Sequence, residues 1–223
     1  MGVAPGLFVR YTVTMKAGPF NAMIAAAFSV EEKTVTVFAR ALKEARLLTT
    51  GARGVNAPDM TPLDAARMTI ALLACDGPAQ AVERVKLFGQ LRYSPHSTTS
   101  QAWREIVGQD EFASRFGGDT LEEVLAFIYS AYLDRGLDDA SRWFDENVVS
   151  LTVQPGDVRA ELVAWVHDAN GKIVRERVMP FQGNRHAEGF VTIPRGLLVE
   201  RSAAPATLSL VSVELWADAR AED

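Results

Sequence analysis

An α+β fold is predicted by the way the hydrophobic period changes along the chain. Spacing is helical to about Gln90, mixed to about Gly118, helical again to about Asn147, and alternating from there to the end. With 223 residues, 48% of them hydrophobic and 23% charged, the chain can bury a substantial core in one large domain or two small ones. The stretch Tyr93 to Gln101 sets Ser94, Pro95, Ser97, Thr98, Thr99 and Ser100 around His96, a composition too polar to bury much surface. It suggests a division into a helical region over 1–92, a linker over 93–118, and a helix pair with an antiparallel β region over 119–223.

The first predicted helix is the short apolar run Phe20 to Phe28. Ser29 and Val30 turn the chain into a second helix, Glu31 to about Leu48, whose Glu31 and Glu32 complement the positive end of the helix dipole. On that helix Val35, Phe38, Leu42 and Ala45 fall at helical spacing and should pack inward, while Lys33, Thr36, Arg40 and Lys43 line another, polar and cationic face. Gly51 and Gly54 then flank Arg53 in what reads as a tight, backbone-exposed turn, with a loop ending at Met60. A third helix starts at a capping box, Thr61 with Asp64, and has Pro62 at its favoured first position. Its apolar stretch Ile70 to Cys75 holds the single cysteine, which cannot form an internal disulfide and should be packed as a small hydrophobe.

A second capping box, Thr120 with Glu123, predicts a helix from Leu121 to about Arg135 that buries Val124, Leu125 and Ile128 and stops at Gly136. The helix after it carries Trp143 and Phe144, which should anchor it to the sheet. From Val148 onward strands are expected. Val158, Ala160, Leu162, Ala164 and Val166 alternate with Arg159, Glu161, Val163, Trp165 and His167, the pattern of a half-exposed antiparallel strand. Asn170-Gly171 supplies positive φ for a hairpin into Ile173 to Met179. Val148 to Val153, Phe190 to Ile193 and Leu208 to Trp216 are the other predicted strands, and Ala219 to Asp223 should fray.

Charge is distributed unevenly. The net formal charge is -5, yet residues 1–60 carry seven Lys or Arg against four Asp or Glu, whereas 61–150 carry eight against fourteen. A whole-surface nucleic-acid coat is therefore excluded, and the N-terminal segment is the part suited to phosphates. The start lacks a basic segment leading into an apolar one, and no run of about 18 apolar residues could cross a bilayer, so a cytoplasmic protein without membrane contact is expected.

Catalytic patterns are thin, and no enzyme activity, cofactor or metal is expected. His96, His167 and His186 are far apart and lack ligand spacing, and neither a phosphate-binding glycine loop nor a nucleophile elbow is present. Asp138 with Asp139 and Asp145 with Glu146 are sequence neighbours on a helix, where adjacent side chains point apart, so they read as solvated charge.

The segment Arg40-Ala41-Leu42-Lys43-Glu44-Ala45-Arg46-Leu47-Leu48, followed by Gly51-Ala52-Arg53-Gly54 and a further helix from Thr61, resembles winged helix-turn-helix proteins: a recognition helix running into its wing. It is also similar to an N-terminal segment common in uncharacterised phage and prophage proteins. Arg46 stands where the family often has a glycine, and one clear helix precedes the recognition helix instead of two. The resemblance implies binding to double-stranded DNA through Lys33, Thr36, Arg40, Lys43 and Arg53. The order of parts further resembles a phage small terminase subunit, which forms a ring and recognises viral DNA for packaging; a transcriptional regulator with a β-rich domain has the same order. The alternative is a non-enzymatic phage virion or assembly protein. Under either reading a homo-oligomer is expected, because an open sheet with few strands leaves edges that call for cover.

Overall fold

The computed structural model describes residues 15–52, 56–93, 119–168, 170–183 and 199–221. Helices α1 (Ala17–Phe28), α2 (Glu32–Glu44) and α3 (Pro62–Ala74) come first, then a 3-10 turn at Pro78–Gln80 and α4 (Ala81–Gly89). The short strand β1 (Arg92–Tyr93) precedes α5 (Leu121–Tyr129), α6 (Ala131–Arg135) and α7 (Leu137–Glu146). Strands β2 (Asn147–Gln154), β3 (Arg159–His167), β4 (Ile173–Gln182) and β5 (Arg201–Ala203) lead into α8 (Pro205–Ala221). The protein is thus α+β, with its sheet ordered β1-β4-β3-β2-β5 and antiparallel throughout.

Both capping boxes form. Asp64 N donates to Thr61 Oγ1 at 3.2 Å, and Asp64 Oδ2 accepts from Thr61 N at 2.7 Å. Glu123 N likewise donates to Thr120 Oγ1 at 3.4 Å, and Glu123 Oε2 accepts from Thr120 N at 2.7 Å. Those bonds from the Thr120 backbone and hydroxyl favour the ionised acid and hold the Glu123 carboxyl below its ordinary range. The helix expected to run unbroken to Arg135 is interrupted at Ser130, where Ser212 Oγ from α8 shares its proton between Ile128 O at 3.2 Å and Tyr129 O at 3.1 Å. Gly136, at φ 78°, stops α6 in the left-handed backbone for which glycine was expected.

The strands alternate as predicted, with Val149, Leu151 and Val153 of β2 and Ala160, Leu162 and Ala164 of β3 buried on the face toward the helices. Asp168 Oδ1 accepts from Asn170 N at 2.9 Å and Lys172 N at 3.0 Å, and Gly171 takes φ 75°, which together close the β3–β4 hairpin. Among the described residues, β4 is bordered on its outer side only at Phe181 and Gln182, by β1. Pro180 on the rest of that edge has no N–H to offer a further strand.

Leu208 to Trp216 is helix, correcting the predicted strand. Hydrophobic residues there recur at both spacings, but the ones buried are Leu208, Val211, Leu215 and Ala219, spaced three and four apart as on one helix face. Packing of that face against α1, α5, α6 and β2 overrides the modest preference of Val and Thr for strands. For the same reason Ala219, expected in a fraying tail, is buried. Strand β5 has no counterpart among the predicted elements, and Phe190 to Ile193 lie outside the described residues.

Tyr93, the first residue of the polar stretch, pairs with Phe181 in β1 and is buried; 94–118 lie outside the described residues. A continuous core crosses from the N-terminal helices to the later elements, as α3 packs on α5 and β5 and α1 packs on α8. Arg201 of β5 reinforces this: Nη1 donates to Leu73 O at 3.2 Å and Cys75 O at 3.1 Å, carbonyls at the C-terminal end of α3, and Nη2 pairs with Asp76.

Candidate nucleic-acid interface

The helical hairpin α1–α2 is built by its turn. α1 ends at Ser29, which adopts a left-handed backbone with φ 53° and ψ 41°. Ser29 N donates to Ala26 O at 3.2 Å and Val30 N to Ala25 O at 3.0 Å, satisfying carbonyls that a helix end leaves open. Glu31 is extended, and its carbonyl accepts from Thr34 N at 2.9 Å to begin α2. A serine in the left-handed region is strained where glycine is not. Ser29→Gly should therefore raise stability by about 0.5–1 kcal/mol net of glycine's greater unfolded-state entropy, measured as a higher urea midpoint at unchanged slope.

Val35, Phe38 and Leu42 of α2 are buried, as their spacing predicts, and Ala39 joins them. Ala45 is only half-buried, because α2 ends at Glu44 rather than near Leu48. Lys33, Thr36 and Arg40 are exposed and Lys43 is half-buried, so these four belong to the solvent side of one helix, as expected. Two further residues share that side. Val37 is 44% exposed, and Glu44 Oε1 accepts from Arg40 Nε at 2.9 Å. That pair is open to water, with the Arg40 side chain 80% exposed, so it contributes little stability. It engages one of the five donors of the Arg40 guanidinium.

Arg53 lies outside the described residues, so the fifth expected contact has no position here. Among the described residues of 47–60 there is no strand pair of the kind a wing would contain. The loop is instead tied inward. Thr49 N donates to Asp64 Oδ1 at 2.7 Å, and Lys16 Nζ donates to Ala57 O at 2.8 Å and pairs with Asp59 Oδ1 at 2.6 Å. Gly51 serves close approach rather than unusual dihedrals, since a Cβ there would lie 2.9 Å from Cδ and Cγ of Pro58.

Asp168 caps its turn, and Asp139 forms an exposed i,i+3 pair with Arg142 at 3.4 Å. Cys75 is buried, and loss of solvent pushes its thiol up to about 11, far from a nucleophilic thiolate at neutral pH. His96 and His186 are outside the described residues, and among those described no group of three His, Cys, Asp or Glu could hold a metal ion. No described helix is long and apolar enough to cross a membrane.

Sequence reasoning missed Arg46 as a structural actor. The residue follows Ala45, the cap of α2, at φ 58°. Its N–H donates to Lys43 O at 3.0 Å, and Leu47 N donates to Leu42 O at 2.9 Å, the paired bonds that end a helix on a left-handed residue. The absence of a glycine after α2 was the available clue. No family model, curated protein or solved structure matches this chain.

Proposed function

We propose that this protein binds double-stranded DNA through the exposed side of α2 and acts without catalysis, in phage-type DNA packaging or in transcriptional regulation. One observation carries the reading. A helix, a tight turn and a second helix hold Lys33, Thr36, Arg40 and Lys43 on the solvent side while Val35, Phe38 and Leu42 anchor the other side in the core. A helix entering the major groove needs such a division, with Arg and Lys for guanine edges or phosphates and Thr for phosphates or the thymine methyl. The net positive N-terminal segment supports the same choice in a chain that is acidic overall. Arg53 completes the proposed contact set by its sequence position beyond α2.

Arg40→Ala with Lys43→Ala should abolish tight binding and leave the fold intact. Neither residue belongs to the buried stripe, so stability should stay within about 1 kcal/mol of wild type. Affinity should fall at least tenfold at low salt, and the dependence of log affinity on log salt should flatten by one to two, roughly one for each lost phosphate contact. Fluorescence anisotropy at two salt concentrations, with circular dichroism as the folding control, measures both. Equal affinity of a folded double variant removes α2 as the reading element. Absence of duplex binding by wild type favours the assembly-protein reading, and sizing with and without duplex reports the proposed homo-oligomer in the same experiment.

A further inference from the structure

We propose that Arg46 is a DNA-phosphate contact at the C-terminal end of α2, kept as arginine in a backbone position where glycine is easier to accommodate. This inference rests on the α2 reading above and adds a residue to it. Its starting point is the φ of 58°, in the region that L-residues with a long side chain seldom occupy. The bonds from Arg46 N to Lys43 O and from Leu47 N to Leu42 O require that backbone, whatever the side chain. Glycine would make them without strain, since it reaches positive φ freely. An arginine at this point therefore costs stability that the helix end itself does not demand.

The side chain makes no hydrogen bond or ion pair among the described residues that offsets this cost. Arg46 is exposed, and among the described residues it forms no ion pair, whereas Arg40 two turns earlier is paired with Glu44. A cation beyond the last turn does interact favourably with the helix dipole, but Lys43 already stands in that turn. Strained residues that the fold does not need are found preferentially where a ligand needs them. The position suits a phosphate better than a base, because the C-terminal end of a recognition helix passes beside the DNA backbone while its earlier turns face the base edges. With Lys43 and Arg40 it would extend the cationic side of α2 past the helix end.

The test uses the full chain, a fluorescent mixed-sequence duplex, and the variants Arg46→Asn, Arg46→Gly and Arg46→Lys at about 50 and 200 mM salt. Asn and Gly both accept the left-handed backbone and remove the charge; Lys retains the charge. Arg46→Asn and Arg46→Gly should melt at or about 2–4 °C above wild type. They should bind the duplex roughly tenfold more weakly at the lower salt, with a salt slope smaller by about one. Arg46→Lys should keep most of the affinity and all of the slope. Wild-type affinity in Arg46→Asn overturns the assignment and leaves the α2 reading standing. Equal losses in Arg46→Lys and Arg46→Asn overturn it too, since charge would then not be the cause. A wild type that does not bind the duplex at the lower salt overturns the α2 reading itself, and the assignment with it.

Discussion

Asp64→Ala should destabilise the protein by about 3–4 kcal/mol, a loss large against the stability of an ordinary domain. Asp64 is 2% exposed, and its carboxylate accepts from Thr49 N at 2.7 Å, Thr49 Oγ1 at 2.8 Å, Thr61 N at 2.7 Å and Thr61 Oγ1 at 2.8 Å. Loss of the helix cap alone costs about 0.5–2 kcal/mol. The remainder comes from donors around residue 49 that stay shielded from water with nothing to receive them. Asp64→Asn should lose less, because its amide oxygen can still cap α3 although it cannot serve both threonines. Urea denaturation monitored by circular dichroism measures the two losses. A cost below about 1 kcal/mol for Asp64→Ala would mean that the loop does not depend on this carboxylate. The two variants also bear on the interface, since Asp64 joins the chain leaving α2 to the start of α3.

The Thr61–Asp64 box was legible because its spacing in sequence fixes its geometry; the bonds from Thr49 were not, since a separation of 15 residues leaves no local pattern. The same division runs through the fold. Periodicity located α1, α2, β2, β3 and β4, and the buried faces of α2, β2 and β3 follow from period alone. It failed at α8, where a segment rich in Val, Leu and Ser fits either period and only the surrounding α1, α5, α6 and β2 decide. At the interface, the division of α2 into Val35, Phe38 and Leu42 against Lys33, Thr36 and Arg40 could be read from the sequence. The pairing of Arg40 with Glu44 was also open to an i,i+4 argument, but the dihedral of Arg46 was visible only as a glycine that is not there. Arg201 was illegible, since its targets Leu73 and Cys75 lie more than 120 residues earlier in the chain.

Glu122→Ala should cost about 3–5 kcal/mol and lower the melting temperature by roughly 10 °C, because it leaves a guanidinium without its counter-charge where water reaches poorly. Glu122 Oε2 accepts from Arg67 Nε at 2.9 Å, and Oε1 accepts from Arg67 Nη2 at 3.4 Å and Gln90 Nε2 at 2.9 Å. The partners' side chains are 22% and 12% exposed, far drier than the Arg40–Glu44 pair. Arg67 Nη1 also donates to Leu47 O at 2.8 Å, so a single guanidinium joins the chain after α2 to α3 and α5. Gly89 belongs to the same site, as a Cβ there would lie 2.8 Å from Glu122 Oε2. Gly89→Ala should therefore displace the carboxylate and cost about 1–3 kcal/mol, less than removing it. Arg67→Met combined with Glu122→Leu should recover much of the loss, since replacing both charges leaves neither one buried alone. Thermal melts of the two single variants and the double variant give the coupling energy directly. If the double variant loses as much as the sum of Arg67→Met and Glu122→Leu measured separately, the charges are not coupled, and the cost belongs to packing around Gly89 and Gln90.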